Sequence, residues 1–532
     1  MKLISVEKMK QLESAANDGG YSYEKMMAKA GTNLATVVHE QYYSAATSRV
    51  LGLVGGGNNG GDTLIALAAL QEAGWTACAV IVKEDAQWQS LMDKLREAGG
   101  KVAGLDQLEP ELKKADLVLD GVIGTGFSGS MREDLAGVLN KVAKLAEDKV
   151  VVAVDCPSGT DCTSGEASPA VLKADLTVSM EAIKIGMLRF PAYDNCGDLK
   201  TVDLGIPAKF LKQFDDGDRV IDSDMVKDFL PERKRNSHKG TYGHLVVCGG
   251  CVNYAGAPVL SARSAYRAGA GLVESALPER IYESATANNP ESIYTLLEDE
   301  DGVISENAAG TLLKRLAGVD CLLIGPGFGT EDTSFRFLQR VLFGSNGKTQ
   351  AAGAGFVPDM NAKKEKDPQA MPPLVIDADG LRLLAKVENW SKKIKVPFVL
   401  TPHPGEMSVL TGLSVEEIQE DRINIARKFA QEWNGTLVLK GALTVVASPD
   451  GKVAVMPFAS SALAKAGTGD VLAGLIAGLI SQGVSTYQAA TAGVWLHARA
   501  AELAVRENGS ERSLLAGDLI QTIPQVFNEL ER

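Results

Sequence analysis

An apolar run that leads straight into a glycine-rich segment is the feature that most limits how this chain can fold. Residues 49–54, Arg-Val-Leu-Gly-Leu-Val, predict a short buried strand that is followed by Gly55-Gly56-Gly57-Asn58-Asn59-Gly60-Gly61-Asp62. Residues 63–73 then predict a helix. Glycines permit positive φ and close backbone approach, and a helix start offers free N–H groups and the positive end of the helix dipole. The strand, loop and helix therefore predict a phosphate-binding βα unit.

A second glycine-rich segment, Ala466-Gly467-Thr468-Gly469-Asp470, precedes an apolar helix predicted over 470–480. Both segments end in an aspartate, which would repel a phosphate unless it had a chemical task of its own. The sequence therefore predicts two phosphate-handling sites with chemistry attached, and two enzymes in one polypeptide.

The alternation of strands and helices continues through both halves and predicts an α/β fold with parallel sheets. In the first half, which we expect to end near residue 215, helices are predicted over 7–18, 22–42, 87–98 and 132–146, and strands over 77–82, 117–119 and 150–154. The charged segment 213–237 is the predicted linker. After it, strands are predicted over 244–248, 321–324, 374–376, 396–400 and 436–439, and helices over 257–268, 470–480, 486–506 and 515–529. Residues 351–370 are polar and unpatterned and predict a surface insertion.

The length and the net charge of the chain restrict the classes of function that it can have. A chain of 532 residues is too long for one hydrophobic core, so two or three domains are expected. With 54 Lys and Arg against 67 Asp and Glu, the net charge of −13 argues against nucleic-acid or anionic-membrane partners and suits small anionic ligands in shielded clefts. The seven cysteines show no disulfide framework, the pair Cys248 and Cys251 is interpreted as structural, and the N-terminus shows no secretion signal. We expect a cytoplasmic protein.

Three polar segments follow predicted strands of the first half. The glycine segment matches G-x-G-x-x-G, which by itself suggests a dinucleotide site with Glu84 or Asp85 as the ribose partner. The Asn58-Asn59 pair fits that pattern poorly, and its carbonyl oxygens suit a monovalent cation or a ribose. Segments 120–130 and 155–161 follow the next strands and can converge at the carboxyl edge of the sheet. An aspartate there suits proton transfer, although a helix cap or a turn would also explain it.

These residues resemble the NAD(P)H-hydrate epimerase domain, over about residues 5–215. The resemblance rests on the motifs GGGNNGGD, DGVIGTGFSG and DCPSG. It implies a Rossmann-like, three-layer parallel-sheet domain over residues 1–217 that racemises C6 of hydrated nicotinamide nucleotides. It implies substrate binding by Asn58, Asn59, Gly60, Gly61, Asp62, Gly124, Thr125, Gly126, Phe127, Ser128, Gly129 and Ser130, with Asp155 as the base or a substrate contact. It also implies that potassium is coordinated by Asn59, Asp120 and Ser158. Thr160 departs from the family, which usually has an aliphatic residue there.

Polar segments also follow the strands of the second half. Backbone amides of Gly467-Thr468-Gly469-Asp470 can stabilise a transferring phosphoryl group, and Asp470 can accept a proton from a hydroxyl or simply cap the helix. Lys440 can meet a nucleotide phosphate or be solvated, and His403, between two prolines, can be a ligand contact or a turn residue. The other polar strand ends are 325–329, 377–380, 401–406 and 440–444.

This half resembles the ribokinase-like superfamily and, more closely, the NAD(P)H-hydrate dehydratase family, over about residues 225–530. The motifs are YAGAP, GPGFG, DADGL, TPHPGE, KGALT and AGTGD. The resemblance implies a dehydratase domain over residues 225–532, with Mg²⁺ and ADP or ATP, that phosphorylates the C6 hydroxyl and eliminates phosphate. It implies Asp470 as base, contacts to the hydrate from Ala257, Gly327 and His403, and nucleotide binding by Lys440, Gly441, Ala442, Leu443, Thr444 and Gly469. Fusion to an epimerase is the arrangement of bacterial members, which use ADP.

The two activities form one repair scheme, because a stereospecific dehydratase consumes one C6 epimer and an epimerase beside it supplies that epimer from the other. The expected partners are hydrated NADH or NADPH and ADP, with a homo-oligomer and without nucleic acid or membrane. Three alternatives stay open at this point: a vitamin kinase fused to a Rossmann-like domain, a nucleotide-binding sensor, and an NAD-dependent dehydrogenase.

Overall fold

The structure, a computed structural model, describes residues 1–44, 48–344 and 371–531. The chain divides into two compact units, Met1–Val220 and Ile221–Arg532. The predicted insertion 351–370 lies outside the described residues, and the predicted linker 213–237 contains the helix Ser223–Phe229.

The first unit alternates strands and helices. Its strands are β1 (Leu3–Ile4), β2 (Arg49–Val54), β3 (Thr76–Ile81), β4 (Lys101–Ala103), β5 (Leu117–Gly121), β6 (Val150–Val154), β7 (Leu176–Met180), β8 (Ile183–Lys184), β9 (Asp198–Val202) and β10 (Arg219–Val220). Its helices are α1 (Val6–Asp18), α2 (Tyr23–Tyr42), α3 (Asn58–Glu72), α4 (Gln89–Glu97), α5 (Leu108–Leu112), α6 (Glu133–Leu145) and α7 (Ala208–Gln213). The main sheet has the order β4-β3-β2-β5-β6-β7-β9, with parallel pairing throughout.

Alternate residues of β2 face opposite sides of this sheet, as the two-residue period of a strand requires. Val50 and Val54 pack in a core with α2 and α3, whereas Leu51 and Leu53 pack in a second core with α5 and α6. The unit therefore has helices on both faces of a parallel sheet, which confirms the predicted three-layer α/β fold. The strand order reverses between β2 and β5, where open parallel sheets form their ligand crevice.

The second unit repeats this plan with more elements. Its strands are β11 (His244–Cys248), β12 (Leu272–Pro278), β13 (Ile293–Leu297), β14 (Asp299–Glu300), β15 (Val303–Ile304), β16 (Cys321–Ile324), β17 (Leu374–Ile376), β18 (Phe398–Leu400), β19 (Thr436–Leu439), β20 (Val445–Ala447) and β21 (Val453–Val455). Its helices are α8 (Ser223–Phe229), α9 (Gly256–Arg267), α10 (Tyr282–Asn288), α11 (Ala309–Arg315), α12 (Asp332–Phe343), α13 (Asp379–Leu384), α14 (Trp390–Lys393), α15 (Pro404–Thr411), α16 (Val415–Glu420), α17 (Arg422–Trp433), α18 (Thr468–Ser481), α19 (Thr486–Asn508) and α20 (Ala516–Glu531).

The main sheet of this unit contains the order β21-β20-β19-β18-β17-β16-β11-β12-β13, and β14 and β15 form a separate antiparallel pair. Pairing is parallel from β13 to β19 and antiparallel between β19, β20 and β21. The apolar helix α18 packs against α9 with very close backbones, because a Cβ on Gly474 would lie 2.1 Å from the carbonyl oxygen of Ser261. None of the described helices is both long and apolar enough to cross a bilayer.

Candidate active sites

The glycine loop after β2 lies tightly against the segment that follows β5. A Cβ on Gly55 would lie 1.9 Å from the carbonyl oxygen of Val122, so only glycine fits this contact. The two loops border a cavity of about 1140 Å³. Of the residues predicted to bind substrate, this cavity is lined by Asn58, Asn59, Gly124, Thr125, Gly126, Phe127 and Ser130.

The three residues predicted to hold a cation lie close together. Asp120, at the end of β5, accepts hydrogen bonds from the Ser158 hydroxyl (2.6 Å) and the Ser158 backbone N–H (2.8 Å). Asn59 donates to the carbonyl of Val154 at the end of β6, and its Oδ1 lies 2.3 Å from where a Cβ on Gly124 would be. Asp120 is fully buried, and burial raises its pKa to about 6 despite the bonds from Ser158. Within the described part of the chain, no basic side chain pairs with Asp120.

Asp155 follows β6 with a positive φ of 69° and is paired with a buried lysine. The Lys184 ammonium donates to Asp155 Oδ1, as do the Ser179 hydroxyl (3.2 Å) and the Met180 N–H (2.9 Å). Burial lowers the pKa of Lys184, but the charge and hydrogen bond of Asp155 outweigh burial and raise it overall. The lysine is therefore an ammonium ion, and it orients the carboxylate from the side of β7 and β8.

Two further carboxyl groups, those of Asp62 and Glu13, interact electrostatically with Asp155 and Lys184. Burial, followed by the charges of Asp155 and Glu13, raises the pKa of Asp62 well above its ordinary value. Glu13, on α1, lines the cavity, and burial raises its pKa as well. This charge cluster thus holds a carboxyl group that burial shifts toward its neutral form together with an ion-paired carboxylate, an arrangement that is suited to acid–base chemistry.

Several predicted substrate residues do not line the main cavity. Asp62 and Asp155 are buried behind its wall, and Ser128 is exposed. A Cβ on Gly61 would meet Met27 of α2, so this glycine serves helix packing. Gly60 is buried against the glycine loop itself, and Gly129 lines a neighbouring cavity of about 540 Å³.

In the second unit, the predicted base lies in the first turn of α18. Gly467 caps this helix with φ +90°, and Asp470 is its third residue. Burial raises the pKa of Asp470 to about 7, with the charge of Asp377 adding to the rise and that of Lys440 opposing it. A carboxylate with this pKa can take a proton from a hydroxyl near neutral pH.

Lys440, at the end of β19, is paired with acids from two other strand ends. Its Nζ lies 2.8 Å from Asp377 Oδ1 and 3.8 Å from Glu406 Oε2. Asp377 also accepts from the Thr401 hydroxyl at 2.7 Å. Burial lowers the pKa of Lys440, but Asp377 and Glu406 outweigh this and raise it. A Cβ on Gly469 would lie 3.4 Å from Lys440 Nζ, so the ammonium ion lies directly beside the turn that carries Asp470.

His403 caps α15 and is held in one tautomer. Its Nδ1 accepts from the N–H groups of Gly405 (3.0 Å) and Glu406 (3.3 Å), while Glu406 accepts from the His403 N–H at 2.9 Å. Burial and the positive charges of Lys440 and Arg382 lower the pKa of His403. The imidazole is therefore neutral near pH 7 and offers an Nε2–H donor.

These groups border a cavity of about 500 Å³ in the second unit. Of the predicted residues, it is lined by His403, Lys440, Gly441, Ala442, Thr444, Gly469 and Asp470. Ala257 and Gly327 lie outside this lining but next to each other, since a Cβ on Gly327 would lie 3.1 Å from that of Ala257. Leu443 has a positive φ of 54°, and its side chain is buried.

Comparisons with known proteins agree for both units. The family model described as NAD(P)H-hydrate dehydratase matches residues 245–525, and the one described as YjeF-related protein N-terminus matches residues 23–186. A bifunctional NAD(P)H-hydrate repair enzyme of Moorella thermoacetica is 34% identical over 100% of this chain and 97% of its own length. One of Escherichia coli is 32% identical over 97% and 91%, respectively. The chain belongs to the family of bifunctional NAD(P)H-hydrate repair enzymes.

Among solved structures, the ADP/ATP-dependent NAD(P)H-hydrate dehydratase of Bacillus subtilis, co-crystallised with ATP and Mg²⁺, is similar. It is 29% identical, and the match covers 59% of this chain and 99% of that one with a TM-score of 0.47. The predicted α/β architecture, with a mainly parallel sheet in each unit, is confirmed for this member of the family.

Sequence reasoning did not identify three charged residues that this family member places in or under its sites. Lys184, which pairs with Asp155, stands alone in the apolar run 182–185, and a lone buried lysine of that kind is a detectable signal. Glu13 lies in a helix whose pattern predicts only an amphipathic face, so no signal marks it. Arg422, whose guanidinium lies under Gly441, likewise carries no local signal.

Proposed function

We propose that this chain repairs hydrated nicotinamide nucleotides, with residues 1–217 epimerising the C6 hydroxyl and residues 225–532 dehydrating one epimer with a nucleoside di- or triphosphate. The observation that carries the proposal is that each unit holds a buried acid–base carboxylate of its own. Asp155 is buried directly after β6, and Asp470 lies at the amide-rich start of α18. The family matches over both units support assigning one step to each.

In the first unit, the reaction makes and breaks a bond at C6, which lies next to the ring nitrogen of the hydrate. That nitrogen can help expel the hydroxyl, so the protein has to supply and remove protons. Asp155 is proposed as the base or substrate contact, with Lys184 holding it in place and the buried Asp62, whose pKa is raised, in the same charge cluster. The loop residues Asn58 to Asp62 and Gly124 to Ser130 are proposed to bind the nucleotide hydrate.

Potassium is proposed at Asn59, Asp120 and Ser158. The support is the fully buried Asp120 carboxylate, which has only hydroxyl and N–H partners among the described residues, together with the amide oxygen of Asn59 beside Gly124. Oxygen ligands with one negative charge suit a monovalent cation. Bound there, the cation would supply a positive charge that fixes the loops after β5 and β6.

In the second unit, Asp470 is proposed to remove the proton from the C6 hydroxyl as that oxygen attacks the terminal phosphorus of the nucleotide, whose bond to the bridging oxygen breaks and releases the nucleotide with one phosphate fewer. The amides of the Gly467–Asp470 turn and the Lys440 ammonium can stabilise the transferred phosphoryl group. Phosphate then leaves C6 and a proton leaves C5, which restores the ring double bond. Ala257, Gly327 and His403 are proposed to contact the hydrate, and residues 440–444 with Gly469 to hold the nucleotide.

Magnesium is proposed to enter with the nucleotide. In residues 1–44, 48–344 and 371–531, no group of three or more His, Cys, Asp or Glu side chains is placed to hold a metal ion. A Mg²⁺ ion coordinated mainly by phosphate oxygens needs only one or two protein carboxylates, so the residues present fit it. It would neutralise charge on the transferring phosphoryl group.

Membership of the family also supports the predicted ligands. Hydrated NADH and NADPH and ADP or ATP are the proposed ligands. The cytoplasm is the proposed compartment, since all seven cysteines are free and buried. The homo-oligomer stays a prediction, which light scattering of the purified chain tests directly.

The deciding experiment incubates the purified chain with a mixture of hydrated NADPH epimers, ADP or ATP, Mg²⁺ and K⁺. We expect the absorbance of the reduced nicotinamide to return in step with release of one inorganic phosphate per molecule repaired, and both epimers to disappear. A phosphorylated product that accumulates without ring restoration would instead establish the vitamin-kinase alternative, which the family membership does not favour.

A further inference from the structure

Arg422, the first residue of α17, lies beneath the segment proposed to hold the nucleotide. Its Nη2 donates to the backbone carbonyls of Leu439 (2.8 Å) and Lys440 (3.2 Å), and its Nη1 donates to Gln419 Oε1 (2.6 Å). A Cβ on Gly441 would lie 3.2 Å from Nη2, and Gly441 has φ +139°. The guanidinium therefore fills the space behind Gly441, which explains why a glycine is required there.

The charge of this arginine is not balanced by an acid. In the part of the chain that the structure describes, Arg422 makes no ion pair, and burial lowers its pKa to about 10 without any acidic group opposing the shift. Its Nε atom is buried and has no hydrogen-bond partner there. A cation at a helix N-terminus is also disfavoured by the helix dipole. Arg422 is half-buried and its Nε is out of water, so the arrangement leaves an unpaired positive charge that an anionic ligand can balance.

The bond from Arg422 to Lys440 also fixes the direction of the next amide. The Lys440–Gly441 peptide is trans and planar, so its N–H points opposite to its carbonyl. Because the carbonyl points at the guanidinium, the Gly441 N–H points away from it, and Gly441 lines the cavity. In the described residues, neither the Gly441 N–H nor the Ala442 N–H donates to a backbone carbonyl. A donor that faces a cavity next to Lys440 suits a phosphate oxygen.

We propose that Arg422 is a positioning residue for nucleotide binding, which holds the Lys440–Gly441 peptide so that the Gly441 N–H meets a phosphate oxygen and which adds positive charge beneath it. This inference rests on the proposed function of the second unit and deepens it. Hydrogen bonding of the carbonyl to a cation also polarises the peptide and strengthens its N–H as a donor.

The test compares Arg422→Gln, Arg422→Lys and the control Arg427→Gln in the full-length chain. Arg427 lies on the same helix and donates to the carbonyl of Gly451, away from the nucleotide segment. The measurements are the Kd for Mg-ADP by calorimetry, the KM values for ADP and for the hydrate, and the thermal unfolding temperature.

For Arg422→Gln we expect the Kd and KM for ADP to rise about tenfold or more, which corresponds to one lost charge-assisted interaction, while the KM for the hydrate stays within about twofold. Arg422→Lys should recover part of the ADP affinity because the charge remains, and Arg427→Gln should match the wild type. Should the glutamine variant unfold, Arg422→Lys alone decides the matter, because it still loses the forked geometry and should weaken ADP about threefold.

Unchanged ADP affinity in a folded Arg422 variant would overturn the inference, and so would an equal rise in both KM values, which would indicate a merely structural role. In either case a wild-type chain that still restores reduced nicotinamide keeps the proposed function. A wild-type chain that neither binds ADP or ATP nor dehydrates the hydrate would overturn the proposed function and this inference together.

Discussion

Asp470 and Asp155 occupy different electrostatic surroundings although both are buried aspartates at proposed catalytic positions. Asp470 is surrounded by further acids, with Lys440 as the opposing charge, whereas Asp155 is in direct contact with the Lys184 ammonium. Motifs in the sequence locate both aspartates. The motifs do not include Lys184, whose isolation in the apolar run 182–185 marks it only as a buried charge, because it comes from a separate strand and meets Asp155 only in the folded sheet.

The raised pKa of Asp470 predicts the pH dependence of dehydration. A carboxylate whose pKa is about 7 is protonated and inactive as a base below that pH, so kcat/KM should rise by about tenfold per pH unit below 7 and level off above it. Asp377→Asn removes a neighbouring negative charge and frees that of Lys440, and both effects lower the pKa of Asp470. In this variant, the rise of kcat/KM with pH should therefore occur at a lower pH than in the wild type. A dehydration rate that is flat across the acid range would contradict the role of Asp470 as base.

Asp120 predicts that potassium and protons compete in the first unit. Its pKa is about 6, so it is protonated below that pH and loses its attraction for a cation. The potassium concentration that gives half-maximal epimerisation should therefore increase as the pH falls through 6. Asp120→Asn should abolish potassium activation. The control Asp134→Asn changes an exposed carboxylate at the same cavity and should leave it intact. An epimerisation rate that does not depend on the potassium concentration at any pH would contradict the proposed potassium site.

At the scale of elements, strands made of uninterrupted apolar residues could be predicted and strands with buried polar residues could not. The bounds of β2, β6, β11 and β16 match the sequence predictions. β12 was not predicted because Glu274 interrupts its apolar run. In the folded unit this carboxylate is fully buried and is paired with Arg315 through two contacts of 2.8 Å. That partner lies on α11, which a local pattern cannot reveal.

The contact between α9 and α18 predicts an effect of adding one methyl group. A Cβ on Gly474 would lie 2.0 Å from Ser264 Oγ and 2.1 Å from the Ser261 carbonyl, so Gly474→Ala should force the helices apart and cost about 1–3 kcal/mol of unfolding free energy. Dehydration should fall with it while epimerisation persists. The control Gly310→Ala is also helical but meets nothing within 4 Å, and it should be neutral or stabilise by up to about 1 kcal/mol. Urea unfolding of both variants measures the difference, and equal midpoints would show that the helices tolerate the added group.

At the scale of the whole molecule, each of the two units contains its own core, cavity and proposed catalytic carboxylate. The restart of the strand–helix alternation in the sequence was sufficient to predict two sheets. The sequence could not supply the packing that decides which motif side chains face each cavity: Leu443 belongs to the same motif as Lys440 and Thr444, yet its side chain is buried.

Two single-site variants should complement each other in solution. Asp155→Ala should stop epimerisation and leave about half of an epimer mixture unrepaired, since dehydration consumes one epimer only. Asp470→Asn should stop dehydration while still interconverting the epimers. Mixing the two proteins should restore complete repair, as followed by chiral chromatography and nicotinamide absorbance. Loss of both activities in either folded variant would contradict the assignment of one step to each unit.

The close seating of α18 on α9 has a consequence for how substrate preference can change. Both helices begin with residues proposed for the dehydratase site, α9 with Ala257 in its first turn and α18 with Asp470, and the Ser261 hydroxyl donates to the Asp470 carbonyl at 3.0 Å. The spacing between the proposed hydrate contact and the proposed base is thus set partly by buried glycines of α18 that lie outside the cavity lining. Selection for activity on altered coenzymes should therefore enrich substitutions at the contact between α9 and α18 as well as in the cavity wall.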